Sequence, residues 1–195
     1  MMRISFDFDG VLCLTPFGRM AVHSPHAHVP ALPEDYARFY DAPARTSRLR
    51  RIVEYARFAW RRMAPDAADV LRNLGAAHEL YIVTGRSAQG EALLQRWLRR
   101  HKLDDKVLAV RMAPRGLRPS QHKLAIAKML AIDAHIDDDP RTAFYMARNG
   151  VPRVYLLDHA HAASGVDLPP GLEVVYSLKE FEERVQASTS SPANA

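Results

Sequence analysis

The stretch Ser5-Phe6-Asp7-Phe8-Asp9-Gly10-Val11-Leu12-Cys13-Leu14, SFDFDGVLCL (5–14), decides how this chain is read. The preceding residues and its first half, RISFDF (3–8), alternate and cluster apolar side chains as a buried strand does. Two carboxylates, Asp7 and Asp9, then end that strand, and Gly10 follows. Burying such charges is unfavourable unless something pairs with them. The strand therefore points to a site at its carboxyl end, with Gly10 letting the chain turn away sharply.

The rest of the chain alternates in the same manner. Strand patterns occur at ELYIVTG (79–85), KVLAVRM (106–112), AHID (134–137), RVYLL (153–157) and LEVVYS (172–177). Helical patterns lie between them at 65–77, 87–101, 121–131 and 140–150, and a last one at 177–186. Pro65 and Pro140 fit first helical turns, and Asn149-Gly150 fits a helix end. In 87–101, Leu93, Leu94, Trp97 and Leu98 form one apolar face. Alternating β and α elements predict an α/β fold: a doubly wound, Rossmann-like parallel sheet with helices on both faces. In such sheets ligands bind outside the carboxyl ends of the strands. Asp7 and Asp9, Thr84, and Asp137, Asp138 and Asp139 all fall at such ends.

Residues 17–63 break the alternation. The first half is rich in Pro and His; the second places Leu49, Ile52, Val53, Ala56, Trp60 and Met63 on one helical face. Together they predict a small, mostly helical cap inserted after the first strand. The expected organisation is a core of 1–16 and 64–187, the 17–63 cap, and a disordered tail at 188–195 with the polar ending ASTSSPANA.

The 195 residues suit one domain with a small insert, and 48% hydrophobic residues supply a core. No apolar run is long enough for a membrane span. One cysteine, Cys13, rules out an internal disulfide, so a cytoplasmic setting is expected. Cys13 itself reads as a small buried hydrophobe. The net charge of +5 favours anionic partners without choosing among phosphorylated metabolites, nucleic acid and lipid head groups. Nothing in the sequence speaks to oligomeric state.

Two carboxylates one residue apart can divide nucleophilic attack and proton transfer between them. A further acidic group from another strand can complete an oxygen shell for Mg²⁺. Thr84 adds a hydroxyl and Gly85 a backbone N–H. Lys123 adds a positive charge in the first turn of its helix, where mid-helix Lys128 lies further from the sheet edge. These parts suit phosphoryl transfer, which depends on positioning and charge neutralisation.

The set FDFDGV, YIVT, Lys123 and IDDDP, in this order, resembles the four motifs of the haloacid dehalogenase-like superfamily of phosphohydrolases. The resemblance covers 2–16 and 64–186 but not the insert. It implies Asp7 as the nucleophile that forms an aspartyl-phosphate and Asp9 as general acid and base. It implies Thr84 and Gly85 as phosphoryl-binding groups and Lys123 as the neutralising cation. Mg²⁺ would be held by the Asp7 carboxylate, the Asp9 backbone carbonyl and Asp138, with Asp137 assisting. Asp139 reads as a cap for the helix at Pro140. Asp9 argues against dehalogenation, which lacks the second aspartate as proton shuttle. A signalling receiver fails on motif order, because here the acidic pair opens the chain.

The resulting expectation is a Mg²⁺-dependent phosphatase of small phosphorylated molecules, with the cap selecting the substrate. The alternatives are a phosphatase of nucleotides or nucleic-acid ends, and a non-catalytic phosphate-binding or partner-docking protein. No nucleic-acid-binding module is recognisable. His23, His26 and His28 in HSPHAH read as a polar loop, His122 and His135 as structural residues, and Arg50, Arg57 and Arg61 as a solvated stripe with Glu54.

Overall fold

The computed structural model describes residues 1–14, 24–41, 52, 55, 58, 61–158, 163 and 165–190. Six strands form one sheet: β1 (Arg3–Phe6), β2 (Glu79–Ser87), β3 (Ala109–Ala113), β4 (Ala134–Asp137), β5 (Arg153–Leu157) and β6 (Leu172–Val175). Their order is β3-β2-β1-β4-β5-β6, and every pairing is parallel. Beside the helical residues of the insert, the helices are α1 (Arg38–Asp41), α2 (Ala67–Gly75), α3 (Glu91–Arg100), α4 (Pro119–Met129), α5 (Pro140–Arg148) and α6 (Leu178–Ser190) among the described residues. The doubly wound α/β expectation holds. The chain winds outward from β1 through β2 to β3, then crosses back to β4 on the other side of β1. The switch point of the sheet is therefore the β1/β4 junction, where Asp7 and Asp137 emerge.

Period-two alternation divides the core between the two faces of the sheet. Ile4, Phe6, Leu80, Ile82, Ile136 and Tyr155 pack on one face with Leu71 and Phe181. Phe181 meets Phe6 and Tyr155 edge-on, at centroid distances of 5.5 and 5.0 Å. Tyr81, Val83, Val154 and Leu156 pack on the other, against Leu124 and Phe144. Ser5, His135 and Asp137 alternate with that first set, so a buried polar row crosses the centre of the sheet. His135 Nε2–H donates to Asp137 at 3.0 Å, and its Nδ1 accepts from the Ser5 hydroxyl at 2.7 Å. Burial keeps this imidazole neutral by lowering its pKa.

Several boundaries differ from the sequence reading. Strand β2 runs on to Ser87, because a register shift against β3 between Thr84 and Ser87 lets pairing resume. The helix expected from Ser87 begins as a 3₁₀ turn, Ala88–Gly90, capped by the Ser87 side chain. Helix α6 extends to Ser190, so 188–190 are helical where a disordered tail was expected; 191–195 lie outside the described residues.

The insert is described in part. Segment 24–41 lies as a strap over α4 and α5. Gln121 donates to the carbonyls of Pro30 and Ala31 at 3.2 and 2.8 Å, and Tyr145 to Pro30 at 3.1 Å. His122 donates its Nε2–H to Arg111 O at 3.1 Å, which leaves Nδ1 to accept from Tyr40 at 2.7 Å. His122 is thus structural, and burial pulls its pKa down to about 4. Ile52, Tyr55 and Phe58 are helical. Phe58 is buried against Phe8, whereas Ile52 is 65% exposed and does not share the expected apolar face. Leu49, Val53, Ala56 and Trp60 lie outside the described residues, as do His23, Arg50, Glu54 and Arg57.

Candidate active site

Strand β1 delivers Asp7 to the switch point, where its backbone N–H continues the sheet by donating to Ile136 O at 2.9 Å. The chain then doubles back, with Leu12 and Cys13 N–H both donating to Phe8 O. Gly10 makes this turn with φ +80°, and it also leaves room for Asp138. A Cβ on Gly10 would fall 1.8 Å from Asp138 Oδ2. Glycine is required here on both counts.

Asp7, Asp137 and Asp138 bring one carboxylate oxygen each within 4.8 Å of one another. Lys123, the fifth residue of α4, reaches into this group, because the helix starts at Pro119 and so earlier than the sequence reading placed it. Its Nζ lies 3.0 Å from Asp7 Oδ2 and 2.6 Å from Asp137 Oδ2. Lys128 is exposed. Burial favours neutral Lys123, yet the two carboxylates outweigh it and raise its pKa.

The three aspartates are not equivalent. Asp137 is saturated: Oδ2 receives Lys123 and His135, and Oδ1 accepts from Asp139 N–H at 3.0 Å. Its burial is opposed by Lys123 and His135, which hold its pKa down at about 2. Asp7 Oδ1 and Asp138 Oδ1 are buried with no hydrogen-bond partner among the described residues. Burial, with the neighbouring carboxylates, pushes Asp7 up to about 7 and Asp138 up to about 8. Asp139 turns away and caps α5, accepting from Arg141 N–H and the Thr142 hydroxyl.

Clustered carboxylates, two of which keep an orphaned hard oxygen, suit a small divalent cation with oxygen preference, so this donor set fits Mg²⁺. A cation there would replace the protons that burial otherwise favours.

Thr84 is buried at the β2 register shift, with Oγ1 accepting from Arg86 N–H at 3.3 Å. Gly85 packs closely on Pro119, where a Cβ would approach to 2.8 Å. The Asp9 side chain is held by two arginines. Arg86 grips it through Nε–Oδ2 at 2.5 Å and Nη2–Oδ1 at 2.8 Å, and Arg61 Nη1 adds a contact at 2.8 Å.

Sequence reasoning missed both arginines. Arg61, expected on a solvated stripe, is buried: its Nη1 also donates to Leu14 O, and Trp97 donates to its carbonyl. The guanidinium of Arg86 lies 4.4 Å from the Phe58 ring centroid. The available signal for Arg86 was its place directly after Thr84-Gly85, at the end of a buried strand. Arg61 had none, because its partner lies 52 residues earlier. Cys13 is buried as expected, and burial pushes its thiol up.

No family model matches this sequence, and no curated protein matches it. Solved structures match the fold along almost the whole chain. A haloacid dehalogenase-like hydrolase from Streptococcus pneumoniae superposes with a TM-score of 0.64 at 14% identity, covering 95% of this chain and 99% of that one. A HAD-superfamily hydrolase of subfamily IA from Geobacter sulfurreducens gives 0.56 at 17% identity, covering 95% and 96%. The L-2-haloacid dehalogenase of Xanthobacter autotrophicus gives 0.54 at 12% identity, covering 95% and 98%. The chain has a haloacid dehalogenase-like fold.

Proposed function

We propose that this chain is a Mg²⁺-dependent phosphohydrolase of small phosphate monoesters. One observation carries the reading. Buried Asp7 has one oxygen held by Lys123 and the other unpartnered among the described residues, and it shares the sheet's switch point with Asp138, which also keeps an unpartnered oxygen.

In this reading Asp7 and Asp138 hold the cation, and Asp137 fixes Lys123. The bound cation would neutralise phosphoryl oxygens and the carboxylates around them. Asp7 attacks phosphorus, the bond to the leaving oxygen breaks, and an aspartyl-phosphate forms. Lys123 screens the Asp7 carboxylate from the incoming phosphate. Thr84 and the Gly85 N–H receive phosphoryl oxygens. Asp9, once released from its arginines and protonated from solvent, gives that proton to the leaving alkoxide and later takes one from the water that hydrolyses the acyl phosphate, returning Asp7 and inorganic phosphate. A substrate anion that competes for Arg61 or Arg86 would loosen their grip on Asp9 and free it for this work. The insert contributes selectivity and no nucleophile or cation ligand.

The fold is shared with a carbon–halogen hydrolase, so the test must separate the two reactions. Phosphorylated metabolites and 2-haloacids are offered with Mg²⁺ and with chelator. The expected result is phosphate release that needs Mg²⁺ and no halide release; halide release, or phosphate release insensitive to chelator, overturns the reading.

A further inference from the structure

Helix α5 carries Arg141, Tyr145 and Arg148 at i, i+4 and i+7, which puts them on one face. That face looks toward the strap. Between them lies a cleft of about 390 Å³ lined by His26, His28, Arg141, Tyr145, Arg148 and Asn149, and by no acidic side chain among the described residues. The walls are held in place. Tyr145 is tied to Pro30 O of the strap, and Asn149 to Tyr145 O. Phe144, buried beneath, meets the edge of His26 at 6.0 Å and the Arg148 guanidinium at 5.5 Å.

Arg148 alone is an ordinary helix-end cation. Arg141 is not ordinary. It sits in the first turn of α5, where the helix dipole disfavours a cation. Its side chain is 27% exposed, it meets Asp139 at a long 3.5 Å, and its Nε–H is buried with no partner among the described residues. Arg141 thus offers the cleft the exposed part of a guanidinium held only at long range by Asp139, and with Arg148 and the two imidazoles it makes a donor set for an anion.

We infer that the cleft between the strap and α5 is a second anion site, which takes a phosphate or carboxylate group of a small molecule. Arg141 and Arg148 stand about 10 Å apart along the helix axis, from the rise of seven residues. The anion is either the remote charged group of the substrate or a separate molecule. Only the first version rests on the phosphohydrolase reading.

Binding is read without turnover, from the imidazole C2–H resonances of metal-free Asp7→Asn protein, with His26→Gln and His28→Gln giving the assignments. Inorganic phosphate and fructose 1,6-bisphosphate are the probes. The expected result is a saturable shift of the His26 and His28 signals, weakened about tenfold or more in Arg148→Gln or Arg141→Gln with helical circular dichroism retained. A bisphosphate advantage lost in these variants assigns the site to a second group of the substrate; equal binding of both probes assigns it to a separate anion. Signals of His26 and His28 that do not move, or that move equally in the folded arginine variants, overturn the inference. Neither result bears on phosphate release, so the two proposals fail separately.

Discussion

Asp9 and Arg86 form a two-point ion pair across the mouth of the sheet, with contacts of 2.5 and 2.8 Å and side chains 13% and 3% exposed. Arg61 completes the set, and Phe58 of the insert lies against Arg86. Asp9 is therefore tied directly to the insert. Removing one member of a buried pair strands the other's charge, at a cost of about 3–5 kcal/mol. Asp9→Ala is expected to lower stability on that scale in urea unfolding. Asp9→Ala together with Arg86→Met should recover part of the loss. No recovery would show that the pair does not act as a unit.

Asp7→Asn keeps the shape of the side chain and removes the attacking charge. Turnover is expected to fall about a thousandfold or more. Thermal stability should hold, because an amide is less costly to bury than a carboxylate that burial already pushes up to about 7. Phosphate release and a melting curve measured on the same preparation check both halves. Activity within tenfold of wild type would remove Asp7 from the nucleophile role.

The three consecutive aspartates should separate in a Mg²⁺ titration of activity. Asp138→Ala is expected to raise the Mg²⁺ requirement most, since its Oδ1 is the partnerless oxygen. Asp137→Ala should act through Lys123 and lower both stability and turnover. Asp139→Ala removes the α5 cap and should cost about 1 kcal/mol with little change in the Mg²⁺ response. A larger Mg²⁺ effect from Asp139 would shift the ligand register by one.

Gly10→Ala should damage the site more than the fold. The new methyl group meets Asp138, and φ +80° adds backbone strain. The expected outcome is weakened Mg²⁺ activation together with a lower melting temperature. Wild-type Mg²⁺ activation in this variant would mean that Asp138 can move away without consequence.

Metal-free protein should lose stability as pH rises from about 6.5 to 8. In this window Asp7 and Asp138, raised to about 7 and about 8, release protons in the folded state. Unfolded carboxylates, with ordinary values near 3.8, have already released theirs. The folded state thus binds more protons, and stability falls with pH by up to about 1.4 kcal/mol per unit for each group. Below about 6.5 the neutral buried His122 works in the opposite direction, since its pKa is lowered and the unfolded imidazole takes the proton. Urea midpoints across this range, with chelator, should show the fall, and Asp138→Asn should flatten it. A rise with pH would contradict the assigned protonation of the cluster.

The sequence by itself determined the alternation of strands and helices, and hence the parallel sheet and the edge where charged residues gather. It could do so because period-two and helical patterns are local, and because FDFDGV and IDDDP place several acids at predicted strand ends. Lys123 over Lys128 and Asp139 as a cap were legible for the same reason: position within a helix is a local property. Only the tertiary structure decided which oxygens are spoken for. Asp137 and Asp138 are neighbours in sequence, yet Lys123 and His135 reach one and no described residue reaches Oδ1 of the other. Nor could local pattern reveal that Arg61 leaves its helical stripe for Asp9, or that Arg141 and the His26–His28 segment wall one cleft. These pairings join residues 52 and more than 110 positions apart, and long-range electrostatic partners leave no periodicity in the chain that could be read.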